Sequence, residues 1–381
     1  MVELGHSVAA PFGGQVLAEL GARVVKVERP SVGDDARAWG PPFWGSVSTT
    51  FLSFNRDKQS IAVDLKDDEA RARLRSFILE QADIVLQNMR PGLVAKYGLD
   101  QSLREDKPGL IYCNLSAYGA VGPLKSHPGY DPLMQAFGGI MSITGEEGRE
   151  PVRVGTSIVD MAAGMWAVVG ILAALRRRSE TGQGSTVDTS LFETALSWMT
   201  ASCTHYLACG EIPRRLGSEA VMLAPYKAYS ARDGYLVVAA GNDNHFRRLC
   251  EVLGHPEWPD DARFASVSQR VRNRVALNSA VEAVIAGRDR AYWIGELEAA
   301  QVPVAPLQNV AEVLGHAQTK ALGMMQAAPD SEISLMGLPL SFDGARPPFL
   351  QAPPALGADT ERAFGSDVPP ARGRETGKDG T

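Results

Sequence analysis

The chain has 381 residues, 45% of them hydrophobic and 22% charged, with a formal net charge of −6. That length allows two domains, or one large domain with a smaller satellite, and the composition is ordinary for a globular protein. An acidic surplus speaks against a nucleic-acid binder, whose footprint is basic, but leaves room for a local basic patch around a phosphorylated ligand.

Residues 1–15 lack the charged start and apolar core of a signal peptide. Residues 2–4 read as the end of a strand, and a turn of small and polar residues runs over 5–10. The apolar spacing of 11–20 is helical, and Gly21 ends that helix. Residues 23–27 read as a strand. This β-turn-α-β opening predicts a parallel, doubly wound sheet, hence an α/β fold with a Rossmann-like large domain. Further strands are predicted over 60–65, 84–86 and 110–115, with a charged amphipathic helix over 68–81. The longest uncharged stretch follows Asp160 and ends at Leu175, short of the ~20 residues that cross a bilayer. It predicts a buried helix and no membrane partner. Residues 226–229 and 235–239 flank Arg232-Asp233-Gly234 as a hairpin, and helices follow over 245–253, 278–286 and 292–299. These mark a small α+β domain over 223–311. The large domain then takes 1–200 and 325–365, with a Pro-rich segment at 337–354. Residues 367–381, polar and rich in Gly and Arg, are expected to be disordered. The four cysteines, Cys113, Cys203, Cys209 and Cys250, form no CxxC pair and have no His at metal spacing. They predict reduced, mostly buried thiols in a cytoplasmic protein, without a metal.

Asp160 stands directly before Met161-Ala162-Ala163-Gly164-Met165. A carboxylate there caps the apolar helix, with its pKa lowered by free backbone N–H groups, and the small residues beside it let a ligand approach. A plain helix cap is the bland alternative. His6 follows the first strand, where doubly wound sheets bind ligands; it reads equally as a histidine bonded within its own turn. Arg29 ends the second strand at the same rim, as a ligand contact or a solvated charge. Asn55-Arg56-Asp57-Lys58 and Asn88-Met89-Arg90-Pro91-Gly92 either hold phosphates or simply turn the chain. No GxGxxG follows the first strand and no GxxxxGK[ST] occurs, against a nicotinamide or nucleoside triphosphate enzyme.

Family resemblance joins these signals. In order, the runs are Ala10-Pro11, Leu17-Ala18-Glu19-Leu20-Gly21-Ala22, Val25-Lys26-Val27-Glu28 and Asn55-Arg56-Asp57-Lys58-Gln59-Ser60-Ile61. There follow Asp64-Leu65-Lys66, Ala82-Asp83-Ile84-Val85, Asn88-Met89-Arg90-Pro91-Gly92, Ser116-Ala117-Tyr118-Gly119 and Pro128-Gly129-Tyr130-Asp131. Ser157-Ile158-Val159-Asp160, Thr181-Gly182-Gln183-Gly184, residues 226–229, Asp233-Gly234-Tyr235 and Val302-Pro303-Val304-Ala305-Pro306 complete the set. Over about residues 2–365 the chain resembles the family III (CaiB/BaiF) CoA transferases, the group of the formyl-CoA:oxalate, carnitine and dicarboxylate CoA-transferases.

The resemblance implies a large domain built from both ends of the chain, a small domain between them, and two chains interlocked as a homodimer. It implies Asp160 as nucleophile and coenzyme A as substrate rather than cofactor. CoA contacts fall on His6, Val8, Ala9, Arg29, Val63, Lys66, Asn88, Met89, Arg90 and Lys96, with Tyr130 and Asp131 near the reacting centre. Gly241, in Ala240-Gly241-Asn242-Asp243, falls near a mobile glycine loop that is richer in glycine in the oxalate enzyme. Relatives carry a fuller first strand, so the short one here reads either as a misplaced start or as a weakened sheet edge. Val8 replaces a polar residue of the oxalate enzyme and points away from oxalate. Arg37-Ala38-Trp39-Gly40-Pro41-Pro42-Phe43 is similar to enzymes that use succinyl-CoA and C4 to C6 diacids. A second cation must then hold the far carboxylate, and Arg153, Arg214 and Arg215 are the candidates, unless they are plain surface arginines. Two alternatives remain open. α-Methylacyl-CoA racemases carry a His where this chain has Tyr130, and a phenol of pKa ~10 is a poor base, but His127 lies three positions earlier. An idle CoA-binding dimer is the other.

Overall fold

The computed structural model describes residues 1–329 and 331–365, so the tail expected at 367–381 lies outside the described residues. Two compact units emerge: Met1–Ile140, Arg153–Gly210 and the described residues from Leu322 to Gly365 form the larger, and Met141–Val152 with Glu211–Ala321 the smaller. The smaller unit thus reaches beyond 223–311 on both sides and takes in a separate stretch ahead of Arg153.

In the larger unit, six strands form one parallel sheet: β1 (Val2–Leu4), β2 (Val24–Glu28), β3 (Lys58–Ala62), β4 (Ile84–Gln87), β5 (Ile111–Ser116) and β6 (Thr186–Ser190). Their spatial order is β3-β2-β1-β4-β5-β6, the order of a doubly wound Rossmann sheet, with the reversal between β1 and β4. The short first strand is therefore not at an edge. Val2 pairs with Val25 on one side and Val85 on the other. Strands buried on both faces explain the near-continuous apolar runs of β4 and β5.

Its main helices are α1 (Ala9–Glu19), α2 (Asp68–Gln81), α3 (Asp131–Phe137), α4 (Ile158–Thr181), α5 (Leu191–Trp198) and α6 (Thr200–Cys209). The Asp67 side chain accepts from the Ala70 N–H and starts α2, and Gly182 at φ 70° ends α4. α1 and α4 touch backbone to backbone. A Cβ on Gly164 would stand 2.5 Å from the Ala9 carbonyl oxygen and 3.1 Å from the Gly13 nitrogen. Ala162, Ala163 and Gly164 are buried in α4, so their small size is explained by packing rather than by ligand access. α4 is long and apolar enough to cross a bilayer by length and composition. It packs on α1, β5 and β6 through Val159, Ala163, Ala167 and Ile171. Its other side, expected to be buried, leaves Met165, Trp166, Val169 and Leu172 exposed.

The smaller unit is an antiparallel sheet, β7 (Tyr226–Ala231), β8 (Gly234–Ala239) and β9 (Val304–Pro306), with β8 in the middle. Helices α7 (Asp243–Leu253), α8 (Arg274–Ile285) and α9 (Arg290–Ala299) cover it. Tyr229, Leu236, Phe246, Leu277 and Trp293 share its core.

Back in the larger unit, β10 (Met325–Ala327) and β11 (Ser334–Met336) form a hairpin fastened by Arg56. The fully buried Arg56 donates to Gln326 Oε1 (2.6 Å) and the Met336 carbonyl (3.2 Å), pairs with Glu19 (3.3 Å), and lies over the Phe349 ring. Lys58 is buried too, bonded to Glu3 Oε2 (2.9 Å), the Pro11 and Phe54 carbonyls and Asn55 Oδ1. Asn55-Arg56-Asp57-Lys58 therefore turns and fastens the chain. Its cations have no charge free for a phosphate.

Candidate active site

Ligands of a doubly wound sheet sit beyond the carboxyl ends of the strands where the order reverses, which here means beyond β1 and β4. Asn88 clamps the two strand ends together. Its Oδ1 accepts from the His6 N–H and its Nδ2 donates to the His6 carbonyl, both at 3.0 Å. Ser7 is held at φ 69°, and its N–H donates to Asp34 Oδ1 (2.9 Å). Such a left-handed residue costs energy and persists because its neighbours fix it. Beneath it the buried Lys26 ammonium donates to the Gly5 carbonyl (2.8 Å) and contacts Glu3 Oε1 (2.9 Å) and Asp34 Oδ2 (2.8 Å). The His6 ring meets Ser7 Oγ at 3.1 Å, and burial pushes its pKa below the usual histidine value.

Two adjoining cavities open there, both inside the larger unit. The first, about 310 Å³, is lined by His6, Val8, Ala9, Asn88, Met89, Arg90, Tyr130, Asp131 and Asp160. The second, about 350 Å³, shares His6, Met89, Arg90 and Tyr130 with the first and adds Arg29, which pairs with Asp35. A lining thus runs from Arg29 to Asp160, shaped for an elongated ligand with an anionic end at the arginines. Val63, Lys66 and Lys96 line neither cavity: Val63 is packed in the core beside Leu74, and both lysines are exposed. Gly241 belongs to the smaller unit, where a Cβ would press on Leu223. Sequence reasoning gave Ser116 and Leu191 no site role, yet both line the first cavity, as do Trp39 of the 37–43 run and His127. Ser116 ends β5 and was readable as a strand end; Leu191 follows β6, a strand the sequence did not reveal.

Asp160 is the third residue of α4, not its cap; the cap position is Ser157. The carboxylate is half-buried. Among the described residues no donor or cation bonds to it. The expectation of a lowered pKa fails. Burial first, and the neighbouring Asp131 second, raise the pKa from 3.8 to about 7. Because the folded value lies above the unfolded one, Asp160 supports the fold below pH 3.8. That support is lost as pH rises through 7. An Asn at 160 cannot ionise. The melting-temperature gap between Asp160→Asn and the parent protein should be small at pH 4, widen up to pH 7 and level off above 8. A gap that stays flat across that range would contradict the assignment.

All four cysteines are free. Cys113 and Cys250 are buried, while Cys203 and Cys209 are exposed, so "mostly buried" holds for half of them. His205 and Cys209 lie one turn apart on α6, at a spacing that can serve a metal, which corrects the reading that the cysteines have no His at metal spacing.

The model of CoA-transferase family III matches residues 1–360. A mouse succinyl-CoA:glutarate CoA-transferase is 35% identical over 364 residues, covering 94% of this chain and 83% of the relative. The acetyl-CoA:oxalate CoA-transferase of Acetobacter aceti is 36% identical, covering 90% and 88%. The crystal structure of a CaiB/BaiF family protein from Brucella suis superimposes with a TM-score of 0.85 at 37% identity, covering 95% and 96%. The chain belongs to the family III CoA-transferases and is an enzyme that transfers CoA.

Proposed function

We propose that this enzyme moves CoA from succinyl-CoA to a dicarboxylic acid through an acyl-Asp160 intermediate. The observation that carries the reading is the Asp160 carboxylate itself. It is unpaired among the described residues, borders the cavity at the strand reversal, and sits beside the first turns of two helices that meet at Gly13 and Gly164. A carboxylate nucleophile needs no general base. One Asp160 oxygen attacks the donor thioester carbon and expels CoA thiolate, leaving a mixed anhydride. The thiolate attacks the aspartyl carbonyl of that anhydride, expels the donor acid, and leaves CoA on Asp160 as a thioester. The acceptor carboxylate attacks this thioester and again frees the thiolate. Thiolate attack on the acceptor's acyl carbon then restores the Asp160 carboxylate. Each attack turns a poorly solvated anion into a neutral acyl group, which a cavity poor in water favours. Activity should fall on the acid side with an apparent pKa near 7.

Support for a dicarboxylate comes from the glutarate and oxalate named for the relatives and from Trp39, which brings the run 37–43 to the cavity. For the far carboxylate, Arg214 is paired with Glu147 (3.3 Å) and Arg153 is bonded to the Val154 and Gly155 carbonyls. Arg215 keeps a buried Nη1 without a partner among the described residues, and with Arg214 it belongs to the smaller unit. We also propose a cytoplasmic homodimer. Trp166, Val169 and Leu172 of α4 with Leu196 and Trp198 of α5 form the kind of exposed apolar face that a second chain covers; sedimentation should give twice the chain mass. His127 at the cavity keeps a racemase reading testable. Purified protein given succinyl-CoA and a panel of C2 to C6 acids should yield new acyl-CoAs by mass spectrometry. It should leave the α-hydrogen of a 2-methylacyl-CoA unexchanged in deuterium oxide; the reverse pattern would replace transferase by racemase.

A further inference from the structure

We propose that Asp131 is a positioning residue that holds the helix of the nucleophile from outside and sets the charge of Asp160, with Gln135 locking Asp131 in place. This rests on the reading of Asp160 as nucleophile. Ser157, at the cap position of α4, makes no side-chain cap bond. The free N–H groups of that first turn go elsewhere: Val159 and Asp160 donate to Asp131 Oδ2 at 2.7 and 3.2 Å. The other oxygen of Asp131 accepts from Gln135 Nε2 at 2.5 Å, and Gln135 Oε1 accepts from the Val154 N–H at 2.8 Å. Asp131 is 2% exposed and Gln135 0%. With both oxygens engaged and the side chain almost fully buried, Asp131 is committed to the helix start, so the expected substrate contact becomes a support.

Two consequences follow from this chain of bonds. α3 and α4 are joined at the turn that carries Asp160, and Val154 ties the preceding loop to the same pair, so the carboxylate is aimed by parts far apart in sequence. In addition, the N–H groups of its own turn already serve another carboxylate. Asp160 is thus denied the donors that would normally favour its anion and faces a second negative group instead. Acylation removes that repulsion, so Asp131 favours the acyl-aspartate over the free anion. The other titratable groups lining the cavity are His6, Arg90, His127 and Tyr130, of which Arg90 is the one fixed cation.

The test compares pH profiles of kcat/KM for Asp131→Asn, Gln135→Ala and Asp160→Ala. Asp131→Asn should shift the acid limb down by about one unit, since the facing charge is gone. Gln135→Ala keeps that charge but frees its aim. It should lower kcat by roughly ten-fold or more, with KM for the acyl-CoA within about twofold and the limb unmoved. A purely structural Asp131 would lower activity without moving the limb, and that result overturns the proposal, as does an unchanged kcat in Gln135→Ala. Should Asp131→Asn fail to fold, the kcat-against-KM split of Gln135→Ala decides. Activity in Asp160→Ala would instead remove the nucleophile and this inference together; a dead Asp160→Ala with an unmoved limb in Asp131→Asn removes this inference alone.

Discussion

Asp160→Ala should reduce CoA transfer by roughly four orders of magnitude or more, since removing a covalent nucleophile removes the reaction path and not a single contact. Asp160→Asn should do nearly the same, because an amide retains the shape but neither the charge nor the nucleophilic oxygen pair. Loss of activity alone would not separate chemistry from folding. Here the two point in opposite directions: the anion is held in a cavity that raises its pKa to about 7, so both variants should melt higher than the parent at pH 8 while being inactive. Hydroxylamine added during turnover should modify a peptide that contains position 160, and only when an acyl-CoA is present. Measurable transfer by purified Asp160→Ala, or the absence of any modified peptide at that position, would end the acyl-aspartate scheme.

Much of the sheet was legible because its strands are buried on both faces, and one of its helices begins with a strong cap. Asp68–Gln81 was readable to the residue, as Asp67 and two acids at its first turn mark the start. β6 was not. Thr186-Val187-Asp188-Thr189-Ser190 carries one apolar residue, as an edge strand can, and no period-2 pattern marks it. α3, which brings Tyr130 and Asp131 to the cavity, begins with Asp131-Pro132 and is too short for a helical period to show. At the site, the position of Asp160 was legible but its electrostatics were not. The helix start suggested N–H groups free to stabilise the anion, and only the fold reveals that Asp131, 29 residues away, already takes them. The same limit applies to Arg56 and Lys58. A basic loop before a strand looks alike whether it faces a phosphate or the core, and the buried partners Glu19 and Glu3 come from other elements.

Glu3→Gln should destabilise the protein by about 3–5 kcal/mol, the usual consequence of removing one partner from a buried ion pair, and lower the melting temperature by roughly 10 °C. Glu3 lies on the central strand, 0% exposed, with one oxygen on Lys26 and the other on Lys58, both also 0% exposed. Gly14 of α1 leaves the space for it, since a Cβ there would stand 2.0 Å from Glu3 Oε2. Without this carboxylate two buried ammonium groups face each other with too little negative charge between them. The lysines are not equivalent, however. Lys26 retains Asp34, and the carboxylates around it outweigh burial and raise its pKa; burial wins at Lys58 and lowers its pKa to about 8, so its charge is the less well supported of the two. Lys58→Met should accordingly cost less than Glu3→Gln, because it removes the poorly supported charge and leaves Glu3 paired with Lys26. Activity should follow the same order. Lys26 and Asp34 hold Gly5 and Ser7 at the mouth of the cavity, and a displaced Lys26 releases both. Denaturant midpoints of the two variants decide the matter: if Lys58→Met unfolds at lower denaturant than Glu3→Gln, the buried charges are balanced differently from the way this geometry implies.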